Sequence, residues 1–219
     1  SKRAERWRTA YVRAFHDLKD SSDRLHPSIN GLQARTARMS VSRPPLQQLP
    51  SNDWRIRRAI LAEPGEVMAS VDFSQVELRT LAARADVKGM KQAVADGIDL
   101  HDVTARLIYG EGFTKAQRGL VKIVNFGRVY GGGAKGLSRQ TGAPLEAVQE
   151  AVRGYDRAYP EVNRFSRHIQ SAAEMGKREV VTITGRRLPL DRDRTYAGLN
   201  YVVQSVARDL LAQSVIDLF

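Results

Sequence analysis

Asp72 closes the apolar-leaning run VMASV and is followed five residues later by Glu77 and then by Arg79, within the stretch VDFSQVELR. A carboxylate at the end of a buried strand is rigidly held, and burying it alone is costly, so it calls for a metal ion or a hydrogen-bonding partner. Two readings follow. Asp72 binds a metal, or it caps the helix that starts near Gln75, a position where Asp is favoured. Glu77 and Arg79 read equally well as a solvated helix face.

A second constellation lies in QRGLVKIVNFGRVYGGG, residues 117–133. On a helix, Arg118, Lys122 and Phe126 recur at every fourth position, so two cations and an aromatic ring share one face, with Tyr130 one turn on. Arg offers a planar fork to phosphate oxygens and Lys a mobile point charge, and together they suit a triphosphate beneath a stacked base. The alternative is a solvated basic stripe, with Phe126 in the core and Gly131-Gly132-Gly133 as a helix stop. Gly127, inside the same helix, costs about 1 kcal/mol relative to Ala and so points to a close approach by another group. The glycine run is not a phosphate loop of the G-x-x-x-x-G-K-[ST] kind. His16, His26, His101 and His168 match no metal-ligand spacing; His101, opening a helix after IDL, reads either as a phosphate donor or as a half-exposed helix residue.

The elements that must position these groups are mostly helical. Apolar periodicity with Gly, Pro and cap signals predicts helices over 3–19, 75–84, 87–95, 101–109, 114–130, 135–141, 145–158 and 160–175, the last stopped by Gly176. A further helix runs from Arg192 to the last residue. Strands are expected over TARMSVS, over EVMASVDF and in the hairpin EVVTITGRRLPL, with a turn at Asn30-Gly31. Ser51-Asn52-Asp53 offers a cap for the short helix WRIRRAI. The expected class is α+β, dominated by helices.

The 219 residues suffice for a sizeable core, and 35 Lys and Arg against 24 Asp and Glu leave a net charge of +11. That balance points to a polyanionic partner, with a merely basic soluble surface as the alternative. No cysteine is present, which excludes disulfides, Cys-ligated zinc and Cys nucleophiles. With no secretory apolar segment and no apolar run of membrane-spanning length, the expected setting is cytoplasmic, without a membrane partner.

In order along the chain, these stretches resemble family A, the DNA polymerase I-like DNA polymerases. DFSQVELR is similar to motif A, and R-x-x-x-K-x-x-N-F-G-x-x-Y-G, residues 118–131, to motif B. TARMS, LQQLP, IDLH, TITGRR and NYVVQSVARDL resemble flanking motifs, so the likeness runs from about residue 23 to the end. It implies a partial palm and fingers. In this frame residues 1–30 are the end of the thumb, 31–84 the partial palm, 85–190 the fingers and 191–219 a helix returning to the palm.

The implied chemistry is template-directed nucleotidyl transfer from a dNTP to a primer 3′-hydroxyl on primer-template DNA, with two Mg²⁺ ions. Asp72 becomes a metal-bridging carboxylate, Phe73 a backbone carbonyl at the nucleotide-side metal, and Glu77 a gate against the ribose 2′-hydroxyl. Arg118 and Lys122 hold the triphosphate with Gln75 and His101 nearby, Lys122 doubling as general acid, and Phe126 packs on base and sugar. Tyr130 stands at the templating-base position, while Arg38, Asn200 and Gln204 contact DNA near the primer terminus. Ala37 and Tyr196 depart from the family pattern. The family's His-Asp-Glu motif C does not occur before Phe219, which implies a palm segment on a parent chain or partner subunit and little extension by these residues alone. The competing expectation is a DNA-binding remnant without catalysis.

Overall fold

The structure is a computed structural model that describes residues 5, 7–50 and 54–218. Its contacts divide the chain into two compact units, Ser1–Asp72 and Phe73–Phe219.

In the first unit a π-helical run, Arg8–Arg13, passes into α1 (Ala14–Leu18). The expected helix over 3–19 is therefore present from Arg8 on, and residues 1–4 and 6 lie outside the described residues. Tyr11 is buried and its hydroxyl donates to the Gln48 carbonyl at 2.7 Å, which ties the helix to the short 3-10 turn Leu46–Gln48. β1 (Ser28–Asn30) pairs antiparallel with β2 (Ser40–Ser42), Ile29 opposite Val41. Only the last three residues of TARMSVS are thus in a strand. α2 (Trp54–Arg57) begins the WRIRRAI segment, and its expected cap at 51–53 lies outside the described residues.

The strand expected over EVMASVDF does not form. Residues 66–73 have neither helix nor ladder, and Val67 and Val71 are 91% and 92% exposed. An apolar run becomes a strand only when a neighbour takes its N–H and C=O groups, and the two sheets among the described residues are two-stranded pairs elsewhere.

The second unit is a helical assembly: α3 (Val76–Arg84), α4 (Lys88–Ala95), α5 (Leu100–Tyr109), α6 (Lys115–Val129), α7 (Ala134–Thr141), α8 (Leu145–Ala158) and α9 (Pro160–Met175). The hairpin β3 (Glu179–Val181) and β4 (Arg187–Pro189) follows, Val180 opposite Leu188. The final helix, α10 (Gly198–Asp217), starts six residues later than Arg192. The DRDRT segment turns tightly instead, with Arg194 N–H on the Asp191 carbonyl and a 3-10 turn at Thr195–Ala197. One apolar cluster joins these elements apart from α7, with Leu78, Leu81, Met90, Leu100, Val124, Tyr155, Tyr159 and Val203 almost fully buried.

The local signals act as expected at several helix ends. Thr114 and Gln117 form a reciprocal capping box at the start of α6, each taking the other's backbone N–H. Pro160 opens α9, and Gly142, at φ +72°, closes α7. Gly127 explains the approach of α7 to α6: a Cβ there would lie 2.4 Å from the Leu137 side chain. Gly119, on the same helix, faces open space. Gly119→Ala should therefore stabilise the fold by about 0.5–1 kcal/mol, the ordinary helix gain. Gly127→Ala should instead lose about 1–3 kcal/mol through overpacking, both read from urea midpoints.

Candidate functional site

The N-terminus of α5 is held by two side chains. Asp99 caps it, its Oδ1 accepting the backbone N–H of His101 at 2.7 Å and of Asp102 at 3.1 Å. Gln75, in the left-handed region at φ +51°, starts α3 and reaches across: its Nε2 donates to Asp99 Oδ2 at 2.7 Å, and its Oε1 accepts the Leu100 N–H at 3.2 Å. One glutamine thus fixes two helix starts. Burial pushes the Asp99 carboxyl up, but the backbone donors and the nearby Arg118 outweigh it, so the group stays ionised below its ordinary range.

Arg118, on α6, is not a free cation. Its Nε bonds Asp102 Oδ1, and one terminal nitrogen lies 3.3 Å from Asp99 Oδ1. Lys122, one turn on, is exposed and has no ion pair or hydrogen bond among the described residues. The two expected phosphate cations are therefore unequal, one partly neutralised and one available. Asp99 and Asp102 were not singled out from the sequence. The signal was present in IDLHD, where an Asp just before a helix is a cap pattern.

His101 is 4% exposed, and of its two open readings the half-exposed one is not what the structure contains. Its ring lies 5.5 Å from that of Phe126, and Nδ1 is 2.9 Å from Asn125 Nδ2. Burial lowers its pKa from the ordinary imidazole value, with Lys122 and Arg118 adding to the effect against Asp99 and Asp102. A groove of about 720 Å³ runs between α6 and α7, lined by Lys122, Phe126, Gly127, Tyr130, Leu137 and Gln140. Its floor is apolar and its rim carries the unengaged ammonium.

At the end of α6 a second set converges. Tyr130 OH donates to Glu77 Oε2 at 3.1 Å and accepts from Gln204 Nε2 at 3.0 Å, so α3, α6 and α10 meet in one chain of hydrogen bonds. Gln204 is buried, and one turn earlier Asn200 has a sealed Oδ1 without a partner. α10 is itself fastened to the hairpin: Thr184 donates to Asp209 Oδ2 at 2.9 Å and Arg186 pairs with Asp209 Oδ1. Burial raises the Asp209 carboxyl, but these donors outweigh it and hold it below its usual range.

Of the expected site residues, Gln75, Glu77, His101, Arg118, Lys122, Phe126, Tyr130, Asn200 and Gln204 all lie in the second unit, and the contacts above link most of them. Phe73 opens that unit, 43% exposed. Arg38 and Asp72 belong to the first unit, and both are exposed. Asp72 does not cap α3, whose cap position is Gln75 with no side-chain cap bond. Among the described residues no group of three His, Cys, Asp or Glu could hold a metal ion, and no helix is long and apolar enough to cross a membrane.

The family model described as DNA polymerase family A matches residues 2–219. The chain is 48% identical over 220 residues to a DNA polymerase of Mycobacterium phage D29, covering 100% of this chain and 36% of that protein. It is 32% identical over 231 residues to the thermostable DNA polymerase I of Thermus aquaticus, covering 97% of this chain and 27% of that protein. Among solved structures, the POL domain of Pol1 from M. smegmatis, in complex with DNA primer-template and dNTP, superposes with a TM-score of 0.84 at 27% identity. That match covers 99% of this chain and 42% of the other. The chain thus spans about a third of the length of its phage relative.

Proposed function

The chain belongs to DNA polymerase family A, and from that premise we propose that its second unit binds the incoming dNTP for template-directed transfer to a primer 3′-hydroxyl. The observation that carries this is the α6 face: an unengaged Lys122 and a carboxylate-held Arg118 beside His101, over an apolar groove floored by Phe126. In this reading the ammonium and guanidinium take the triphosphate, and Phe126 packs on base and sugar. A phosphate arriving at Arg118 exchanges with Asp99 and Asp102. Lys122 would protonate the departing pyrophosphate.

The proposed partners are primer-template DNA and dNTPs, with Arg38, Tyr130, Asn200 and Gln204 toward the DNA and with Gln75 acting on the nucleotide through the α5 N-terminus it holds. The proposed setting is the cytoplasm of a bacterial or phage-infected cell. Two Mg²⁺ ions would supply charge stabilisation to the attacking and leaving oxygens, with Asp72 and the Phe73 carbonyl as ligands. One exposed carboxylate does not make a magnesium site, which needs several oxygen ligands. A palm segment carrying further carboxylates, on a parent chain or a partner, belongs to the same proposal.

The sugar gate tests this reading. Glu77 is held by Tyr130 and excludes a 2′-hydroxyl by bulk and by an occupied acceptor. In a chain of the relatives' length, Glu77→Ala should lower the preference for dNTP over rNTP by about 10- to 100-fold, the range a single-group pocket contact supplies. Glu77→Gln keeps the bulk and an acceptor for Tyr130 and should retain most of the preference. Competitive incorporation reads both variants, and unchanged sugar selectivity in Glu77→Ala would count against the gate.

A further inference from the structure

Asn125 lies in the motif-B stretch beside Phe126, off the face that Arg118, Lys122 and Phe126 share. It is fully buried, at 0% exposure, on the side of α6 that meets α5. Its Nδ2 is 2.9 Å from His101 Nδ1 and 3.4 Å from Thr104 Oγ1. Thr104 spends its own proton on the Leu100 carbonyl at 2.7 Å, so toward both Asn125 and the Tyr159 hydroxyl, 2.9 Å away, it is an acceptor. With Thr104 accepting, the amide nitrogen of Asn125 faces both partners, and the His101 atom opposite an N–H must carry a lone pair. The imidazole proton is then on Nε2, the nitrogen with no hydrogen bond to any described residue.

We propose that Asn125 is a positioning residue: anchored through Thr104 and Tyr159, it fixes His101 in the Nε2–H tautomer and so presents one neutral N–H donor to a phosphate oxygen. This rests on the phosphate-binding reading of the α6 face. The charged groups near the ring agree with a neutral donor. Lys122 and Arg118 on α6 oppose a third positive charge, burial does the same, and Asp99 and Asp102 on α5 only partly offset them. The network costs stability to build into a helix interface, since Asn125 Oδ1 is left sealed without a partner. A purely structural site would be filled more cheaply by an apolar residue.

The test is long-range ¹H–¹⁵N correlation on the full chain labelled with ¹⁵N-histidine, the His101 signals assigned by their loss in His101→Gln. The expected result at neutral pH is an Nε2–H imidazole at His101. Asn125→Leu should give mixed tautomers and weaken binding of inorganic tripolyphosphate about fivefold, as loss of one oriented hydrogen bond predicts. Asn125→Asp, nearly isosteric and checked for a folded ¹H–¹⁵N spectrum, should draw the proton to Nδ1. An Nδ1–H tautomer in the unsubstituted chain, or a tautomer indifferent to both substitutions, overturns the proposal. If the tautomers behave as expected but tripolyphosphate leaves the His101 signals unmoved, positioning by Asn125 stands and the phosphate reading fails.

Discussion

Asp72→Ala should cut primer extension by about a thousandfold or more in a chain of the phage relatives' length, because Asp72, in its proposed role as a carboxylate ligand, is indispensable only once further carboxylates complete the site. The same substitution should leave the fold untouched. Asp72 is exposed, makes no hydrogen bond or ion pair among the described residues and does not cap α3, so its removal should shift stability by less than about 0.5 kcal/mol. Primer–template affinity should hold or tighten slightly, because a negative charge beside a polyanion is lost. Single-turnover extension, urea unfolding and fluorescence anisotropy separate the three. Extension within tenfold of the parent would remove Asp72 from the chemistry, because the unfolding and binding measurements exclude a compensating change in stability or DNA affinity.

Only the structure removes a capping role from Asp72. From spacing alone, a carboxylate just before a helix reads as a cap, and capping was an open alternative for Asp72. What the sequence could not show is that the chain enters α3 through Gln75 in a left-handed conformation, its side chain spent on Asp99 and Leu100. The same limit explains the other misreadings. Helices α3 to α9 were legible to within a residue or two because periodicity, the Thr114–Gln117 box, Pro160, Gly142 and Gly176 are local signals. EVMASVDF was misread because a strand is a property of two segments, and its composition says nothing about a partner. α10 begins late because turns at Asp191–Arg194 win over continued helix, a competition between local hydrogen bonds that apolar spacing does not register.

The site divides the same way. Residue type and helical spacing were enough to place Arg118, Lys122, Phe126 and Tyr130 on one face. Their unequal states were not legible, since the Asp102–Arg118 pair joins residues on different helices. The tie from Glu77 through Tyr130 to Gln204 likewise spans three helices, so no window of sequence contains it. Here the motif likeness carried more than the spacing did, because it brought together stretches that periodicity treats separately.

The inequality of the two cations has a measurable consequence. Lys122→Ala should lower extension about a thousandfold in a chain of the relatives' length, whereas Arg118→Ala should lower it only about tenfold. Lys122 is exposed and unpaired among the described residues, so in the proposed site its whole charge would be gained on triphosphate binding, and the proposed general-acid role would add about 10²–10⁴ in rate. Arg118 already bonds Asp102 and approaches Asp99, so binding a phosphate exchanges one anion for another and yields only the difference. Two controls isolate the causes. Lys122→Arg keeps the charge but not a proton that can leave, so KM for dNTP should stay near the parent value while kcat falls. Asp102→Asn loosens the hold on Arg118, so the penalty of Arg118→Ala should grow in that background. Steady-state and single-turnover kinetics on the four single variants and the Asp102→Asn, Arg118→Ala double variant decide the matter: equal losses for Lys122→Ala and Arg118→Ala would mean that the carboxylates release Arg118 without cost, and the pairing at the start of α5 would then have no bearing on nucleotide binding.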